Sequence, residues 1–208
     1  MNDQRLDFPA TGRNSQAICD VLSPHLAGKK GDVLEIGSGS GQHAVSFADK
    51  FPSLTFWPTD LEPRHLASVN AWQTEAGLTN LRPAKPLDVL ANDWELGSEG
   101  MAPETGLAAI ICINVIHISP WTVAEQLLQR AGHHLAADGF LYLYGPYKRG
   151  GKHTAESNAH FDASLQSRNP NWGVRDMEKI ETVAGGSGLL LRQVTEMPAN
   201  NFSLLLTP

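Results

Sequence analysis

Three glycines at alternate positions, Gly37, Gly39 and Gly41, follow the acidic Glu35 at the end of a short apolar run. Glycines so spaced admit turns with positive φ and let a ligand approach the main chain, while a helix behind them offers N–H groups to a phosphate or nucleoside. The dinucleotide pattern G-x-G-x-x-G is met only in its alanine variant, aligned on Gly39 with Ala44 in third place. Glu35 would repel a pyrophosphate and attract a cationic group. Asp60, at the end of the next apolar run, suits two ribose hydroxyls whichever nucleoside is bound. His117, as an ordinary imidazole with a pKa near ~6.5, could take the proton of an O or N nucleophile or simply aim it.

The elements that must position these groups alternate along the chain. A helix is expected over 13–26 with Pro24 as a possible break, then a strand over 31–37, a helix over 43–51 and a strand over 54–60. Pro63 opens a helix that Gly77 stops, and 81–89 reads as a third strand. After a loop from Asn92 to Gly106, the unbroken apolar run 107–114 is what a parallel strand covered on both faces looks like. Ser119 as N-cap and Pro120 at the first position predict a helix running to Asp138-Gly139, followed by a fifth strand over 140–145. The polar segment Pro146 to Asn171 reads as a loop, part of it a lid or substrate element; a helix over 175–188 and two strands separated by the four residues PANN close the chain. The pattern predicts an α/β fold, a doubly wound and mostly parallel sheet of seven strands with an antiparallel C-terminal strand.

The stretch Glu35-Ile36-Gly37-Ser38-Gly39-Ser40-Gly41 resembles the first motif of class I S-adenosylmethionine-dependent methyltransferases. That resemblance implies a Rossmann-like methyltransferase domain over 1–208, residues 1–30 forming a leader and helix that cover the cofactor site. It implies S-adenosyl-L-methionine as cofactor, with Glu35, Gly37, Ser38, Gly39, Gly41 and His43 around the methionine portion. Asp60 would hold the ribose, with Leu61 beside it also on the cofactor, Asp88 and Val89 the adenine, and Asn114 the amino acid part or the substrate. Arg13 and Asn14 would fold over the cofactor, pairing with its carboxylate or meeting substrate. Trp121, Tyr144, Tyr147 and His153 are the candidate acceptor contacts, with His117 as catalytic residue. A narrower similarity, carried by Arg13-Asn14, the stretch from Asn114 to Trp121 and Gly145-Pro146-Tyr147, points to a small methyltransferase-like family of unassigned function.

A net charge of -6 without a basic run longer than two residues argues against nucleic acid. The polar N-terminus and the lack of an 18-residue apolar run lead us to expect a soluble cytoplasmic protein without membrane contact. Cys19 and Cys112 are too few and too isolated for a disulfide framework or thiolate site. His153, Glu156 and His160 could be pictured around a metal, yet Asn114 stands where a first metal-binding Asp would help, and no metal is expected. The acceptor is a small molecule or a protein side chain. Two other readings stay open at this level: a non-catalytic S-adenosylmethionine-binding or interaction module, and an NAD(P)-dependent oxidoreductase.

Overall fold

The computed structural model describes residues 4–208; the first three residues of the polar leader lie outside them. Strands β1 (Gly31–Ile36), β2 (Leu54–Asp60), β3 (Lys85–Pro86), β4 (Leu107–Ile113), β5 (Leu135–Gly145), β9 (Leu190–Met197) and β10 (Asn201–Thr207) form one sheet in the order β3-β2-β1-β4-β5-β10-β9. The first five run parallel, and β10 inserts antiparallel between β5 and β9. A short turn over Pro198–Asn200 makes that insertion, with Ala199 and Asn200 both at positive φ.

Successive strand residues point to opposite faces, and both faces are covered. Val33, Phe56, Ala109, Ile111 and Tyr142 pack against α1 (Pro9–Leu26) and α2 (Gln42–Lys50). Leu34, Ile110, Cys112, Leu141 and Leu204 pack against α4 (Trp121–His134) and α6 (Met177–Gly186). Burial on both faces removes the polar alternation from β4, whose first six residues are all buried. Helix α3 (Pro63–Ala76) begins with Pro63 in its first turn and ends at Gly77 in the left-handed region.

Several boundaries differ from the sequence reading. Helix α1 starts four residues early, because Pro9 presets the first turn, and it runs through Pro24 to Leu26. The expected strand over 81–89 reduces to Lys85–Pro86 and one bridge from Leu81 to Phe56, since Pro83 and Pro86 cannot donate to a ladder. Ser119 does not cap α4: its Oγ donates to the Val115 carbonyl at 2.8 Å, and Pro120 occupies the cap. Helix α4 ends at His134, and Asp138-Gly139 lies inside β5 at a pairing irregularity opposite Leu107 and Ala109.

The largest correction concerns 146–171. This segment holds β6 (Tyr147–Arg149), β7 (Lys152–His153) and α5 (Glu156–Arg168), and β6 also pairs with β8 (Arg175–Asp176). The buried face of α5 is Asn158, Asp162 and Leu165, too polar to register as an apolar stripe.

Candidate functional site

Strands β1, β2 and β4 end at one rim of the sheet, and a cavity of about 350 Å³ opens there. Its floor is the turn after β1, where Glu35, Gly37, Ser38, Gly39 and Ser40 line it. Asp60 and Leu61 from the end of β2, Leu87, Asp88 and Val89 after β3, and Asn114, Val115 and Ile118 after β4 complete the walls. Phe8, Ala10, Thr11 and Asn14 come over the top from α1 and the residue before it. The leader is laced down: Leu6 N–H donates to Ser68 Oγ at 2.8 Å, Trp72 Nε1 to the Leu6 carbonyl at 3.0 Å, and Phe8 N–H to Gln42 Oε1 at 2.9 Å.

Glu35 is buried, and its Oε2 accepts from the Ser38 hydroxyl at 2.6 Å. Burial pushes its carboxyl up to about 7, the Ser38 bond opposing and the Asp60 charge adding to the rise. Asp60 accepts from Gly39 N–H at 2.9 Å through Oδ2 and from Glu62 N–H at 2.9 Å through Oδ1, with His65 Nδ1 3.1 Å from Oδ1. The Asp88 carboxylate is exposed and accepts from Leu90 N–H. Phe8, Leu61 and Ile118 give the cavity an apolar rim, each exposed where it stands.

The glycines divide in their reasons. A side chain on Gly37 would collide with Val115, and one on Gly41 would stand 2.7 Å from the Val69 Cα on α3. These two serve the close packing of the turn, and Gly41 does not line the cavity. Gly39, at φ +57, lies under the Phe8 ring.

A second cavity, of about 690 Å³, shares Ala10, Asn14 and Asn114 with the first. Arg13, Tyr144 and Pro146 line it, as do Ser157, Asn158 and Phe161 of α5 and Pro198, Ala199 and Asn201 of the last turn. Asn158 Nδ2 donates to the Asn200 carbonyl at 2.9 Å and Asn200 Nδ2 to Ser157 Oγ at 3.1 Å, which fixes α5 to that turn. Asn114, in the left-handed region that asparagine tolerates, faces both cavities. Burial raises the Tyr144 phenol above its ordinary value, against hydrogen bonds with Asn14 and Asn201.

Of the residues expected to bind cofactor, Asn14, Glu35, Gly37, Ser38, Gly39, His43, Asp60, Leu61, Asp88, Val89 and Asn114 line the first cavity, whereas Arg13 lines the second. Of the expected acceptor contacts only Tyr144 lines the second cavity. Trp121 lies under Lys179 Nζ, 4.3 Å from the ring centroid, with Arg175 also over it. Tyr147 is fully buried, and His153 Nε2 lies 3.2 Å from Asp162 Oδ2. His117 lines neither cavity; its imidazole is buried against Gly145 and the Tyr147 ring, the two ring centroids being 5.0 Å apart. Burial, with the Arg175 charge adding, lowers its pKa to about 3, so the imidazole is neutral and weakly basic. Phe8, Thr11, His65 and Ile118 belong to the site without a signal in the sequence, since each reaches it through tertiary packing of α1, α3 or the turn after β4.

Among the described residues no group of three or more His, Cys, Asp or Glu could hold a metal ion, and no helix is long and apolar enough to cross a membrane.

Solved structures with the same fold include an O-methyltransferase family 2 protein from Planctomyces limnophilus in complex with apigenin, at TM-score 0.77 and 18% identity over 95% of this chain and 58% of that one. Human N-acetylserotonin methyltransferase in complex with S-adenosylmethionine matches at TM-score 0.75 and 13% identity, over 95% and 52%. An O-methyltransferase family protein from Burkholderia thailandensis matches at 0.74 and 18%, over 95% and 57%. The chain thus spans a little over half the length of these structures. Its fold is that of class I methyltransferases, and by the match of residues 5–207 to the family model described as protein of unknown function DUF938, the chain belongs to that family.

Proposed function

We propose that the protein is an S-adenosylmethionine-dependent methyltransferase acting on a small molecule. The observation that carries this reading is the pair of adjoining cavities, one lined by Glu35, Asp60 and Asp88 and the other reached from it across Asn14 and Asn114.

The first cavity fits the cofactor chemically. Glu35, buried at its floor, is an acceptor for an ammonium; a cation beside it would draw off its proton and offset the burial. Asp60 keeps acceptor capacity for ribose hydroxyls beyond its bonds to Gly39 and Glu62. Val89, Leu61 and Ile118 suit the faces of an adenine, and Asp88 its exocyclic amine. S-adenosylmethionine bound there supplies an activated methyl group to a nucleophile. The chain's part is to hold the acceptor in line and keep water out, so positioning provides the acceleration without a strong base.

The second cavity supports that economy. Among the described residues no carboxylate and no imidazole lines it, and Tyr144 with its raised pKa is a neutral hydrogen-bonding group. His117, neutral and away from both cavities, is better read as a packing residue beneath Gly145. The cavity between α1, α5 and the last turn, at about 690 Å³, has the size of a small-molecule site.

The test is turnover of methyl-labelled S-adenosylmethionine with a metabolite extract. Label appearing in a small-molecule product supports the reading. Cofactor binding without label transfer to any component would favour a binding module.

A further inference from the structure

The walls of the second cavity divide by chemistry. Tyr144, Pro146, Phe161 and Pro198 supply aromatic and apolar surface, while asparagines and Ser157 supply neutral donors and acceptors. Arg13 is the one charged side chain lining it among the described residues. It is exposed on α1 and makes no ion pair among the described residues.

Lys148, Arg149 and Arg175 do not line the cavity and have partners of their own. Lys148 Nζ lies 2.7 Å from Asp162 Oδ2, Arg149 stands 5.2 Å from the centroid of the Phe202 ring, and Arg175 donates to the carbonyls of Ile116, Ser119 and Asn171. Asp162, the nearby acid, is spent on Lys148, His153 and the Val174 N–H, and it does not line the cavity. A cation entering would meet the Arg13 charge with no carboxylate to oppose it. An anion would meet a planar guanidinium fork with neutral amides around it.

We propose that the methyl acceptor is a small aromatic carboxylate, its anion paired with Arg13 and its ring packed among Phe161, Tyr144 and the prolines; this rests on the reading that the first cavity holds S-adenosylmethionine. One guanidinium balances one negative charge. A phosphomonoester dianion would leave a charge uncompensated in a chain of net charge -6.

The test uses ligand-detected NMR on the full chain with S-adenosylhomocysteine present and benzoate, benzamide, benzylamine and phenyl phosphate as matched probes. Benzoate should bind about 10-fold or more tightly than the other three, as a charge-assisted pair warrants. Arg13→Gln should abolish that preference and Arg13→Lys retain part of it, with the affinity for S-adenosylhomocysteine unchanged in both. Equal binding of the four probes, tighter binding of phenyl phosphate, no probe binding at all, or a benzoate preference that survives Arg13→Gln would overturn the proposal. Failure of wild-type protein to bind S-adenosylhomocysteine would instead remove the methyltransferase reading on which it rests. Normal cofactor binding with no advantage for benzoate removes the acceptor class alone.

Discussion

His43 Nε2 lies 2.9 Å from Asn14 Oδ1, joining the first turn of α2 to the helix that roofs the cavity. An amide oxygen only accepts, so His43 Nε2 carries the proton, and burial keeps the ring neutral by lowering its pKa to about 4. The bond leaves the Asn14 amide N–H groups for Tyr144 or a ligand, at the one wall the two cavities share with Asn114 and Ala10.

Removing either partner should therefore loosen the roof by the same event. Asn14→Ala and His43→Ala are each expected to weaken S-adenosylhomocysteine binding about 10-fold, and the double variant by little more than either alone, a coupling on the order of 1 kcal/mol. Calorimetry on the four proteins measures it. Fully additive losses would show that the contact does not link the two helices.

Glu35 ties stability to pH. Its carboxyl titrates near about 7 in the folded protein, mainly through burial, against an ordinary value of 4.5. Between those values the folded chain holds a proton that the unfolded chain has lost, so stability falls as pH rises through that window, by roughly 3 kcal/mol in full. Glu35→Gln keeps an acceptor for the Ser38 hydroxyl and cannot ionise. Relative to wild type, its thermal midpoint should be higher at pH 8 than it is at pH 5; a gap that does not widen with pH would refute the assignment. Binding of a ligand ammonium runs the other way, with affinity dropping as pH falls below about 7.

His117 should be silent in the pH profile. With its pKa lowered to about 3 by burial and the Arg175 charge, it has no titration between pH 5 and 8. His117→Asn is expected to cost about 1–3 kcal/mol of stability through lost packing, and to lower kcat less than about 10-fold. A fall of about 100-fold with cofactor binding intact would restore it as a general base.

How far these residues were legible depends on what held them. The strand-end carboxylates Glu35, Asp60 and Asp88 stood out because a parallel sheet delivers such residues to one rim, and all three line the first cavity. The alternation of strands and helices and the closing antiparallel pair followed from apolar runs and turn residues, whereas the spatial order of the strands did not. Helix α5 did not, because its inward face is built on Asn158 and Asp162, whose partners Asn200, Lys148 and His153 are known only after folding. Asp138-Gly139 read as a stop for α4 because a bulge uses the same residues as a turn. Phe8 was invisible for a third reason: a lone aromatic in a polar leader gains its place only when Gln42 and Ser68 hold the leader over the glycine turn.

Gly41 offers a stability test of that turn. It sits at φ +90, and a Cβ there would stand 2.7 Å from the Val69 backbone. Gly41→Ala combines left-handed strain with a backbone clash and should cost about 3 kcal/mol or more by chemical denaturation. Gly77→Ala, with open space around its Cβ and φ +62, should cost only about 1–2 kcal/mol. Equal losses would mean that α2 and α3 do not need their close approach.

Whether the cavity at the ends of β1, β2 and β4 holds S-adenosylmethionine is decided by calorimetry with S-adenosylhomocysteine and NAD on wild-type protein and on Asp60→Ala. One S-adenosylhomocysteine per chain, no measurable NAD binding, and at least about 10-fold weaker binding in Asp60→Ala are expected. Binding of NAD alone, or S-adenosylhomocysteine binding indifferent to Asp60→Ala, would contradict that assignment.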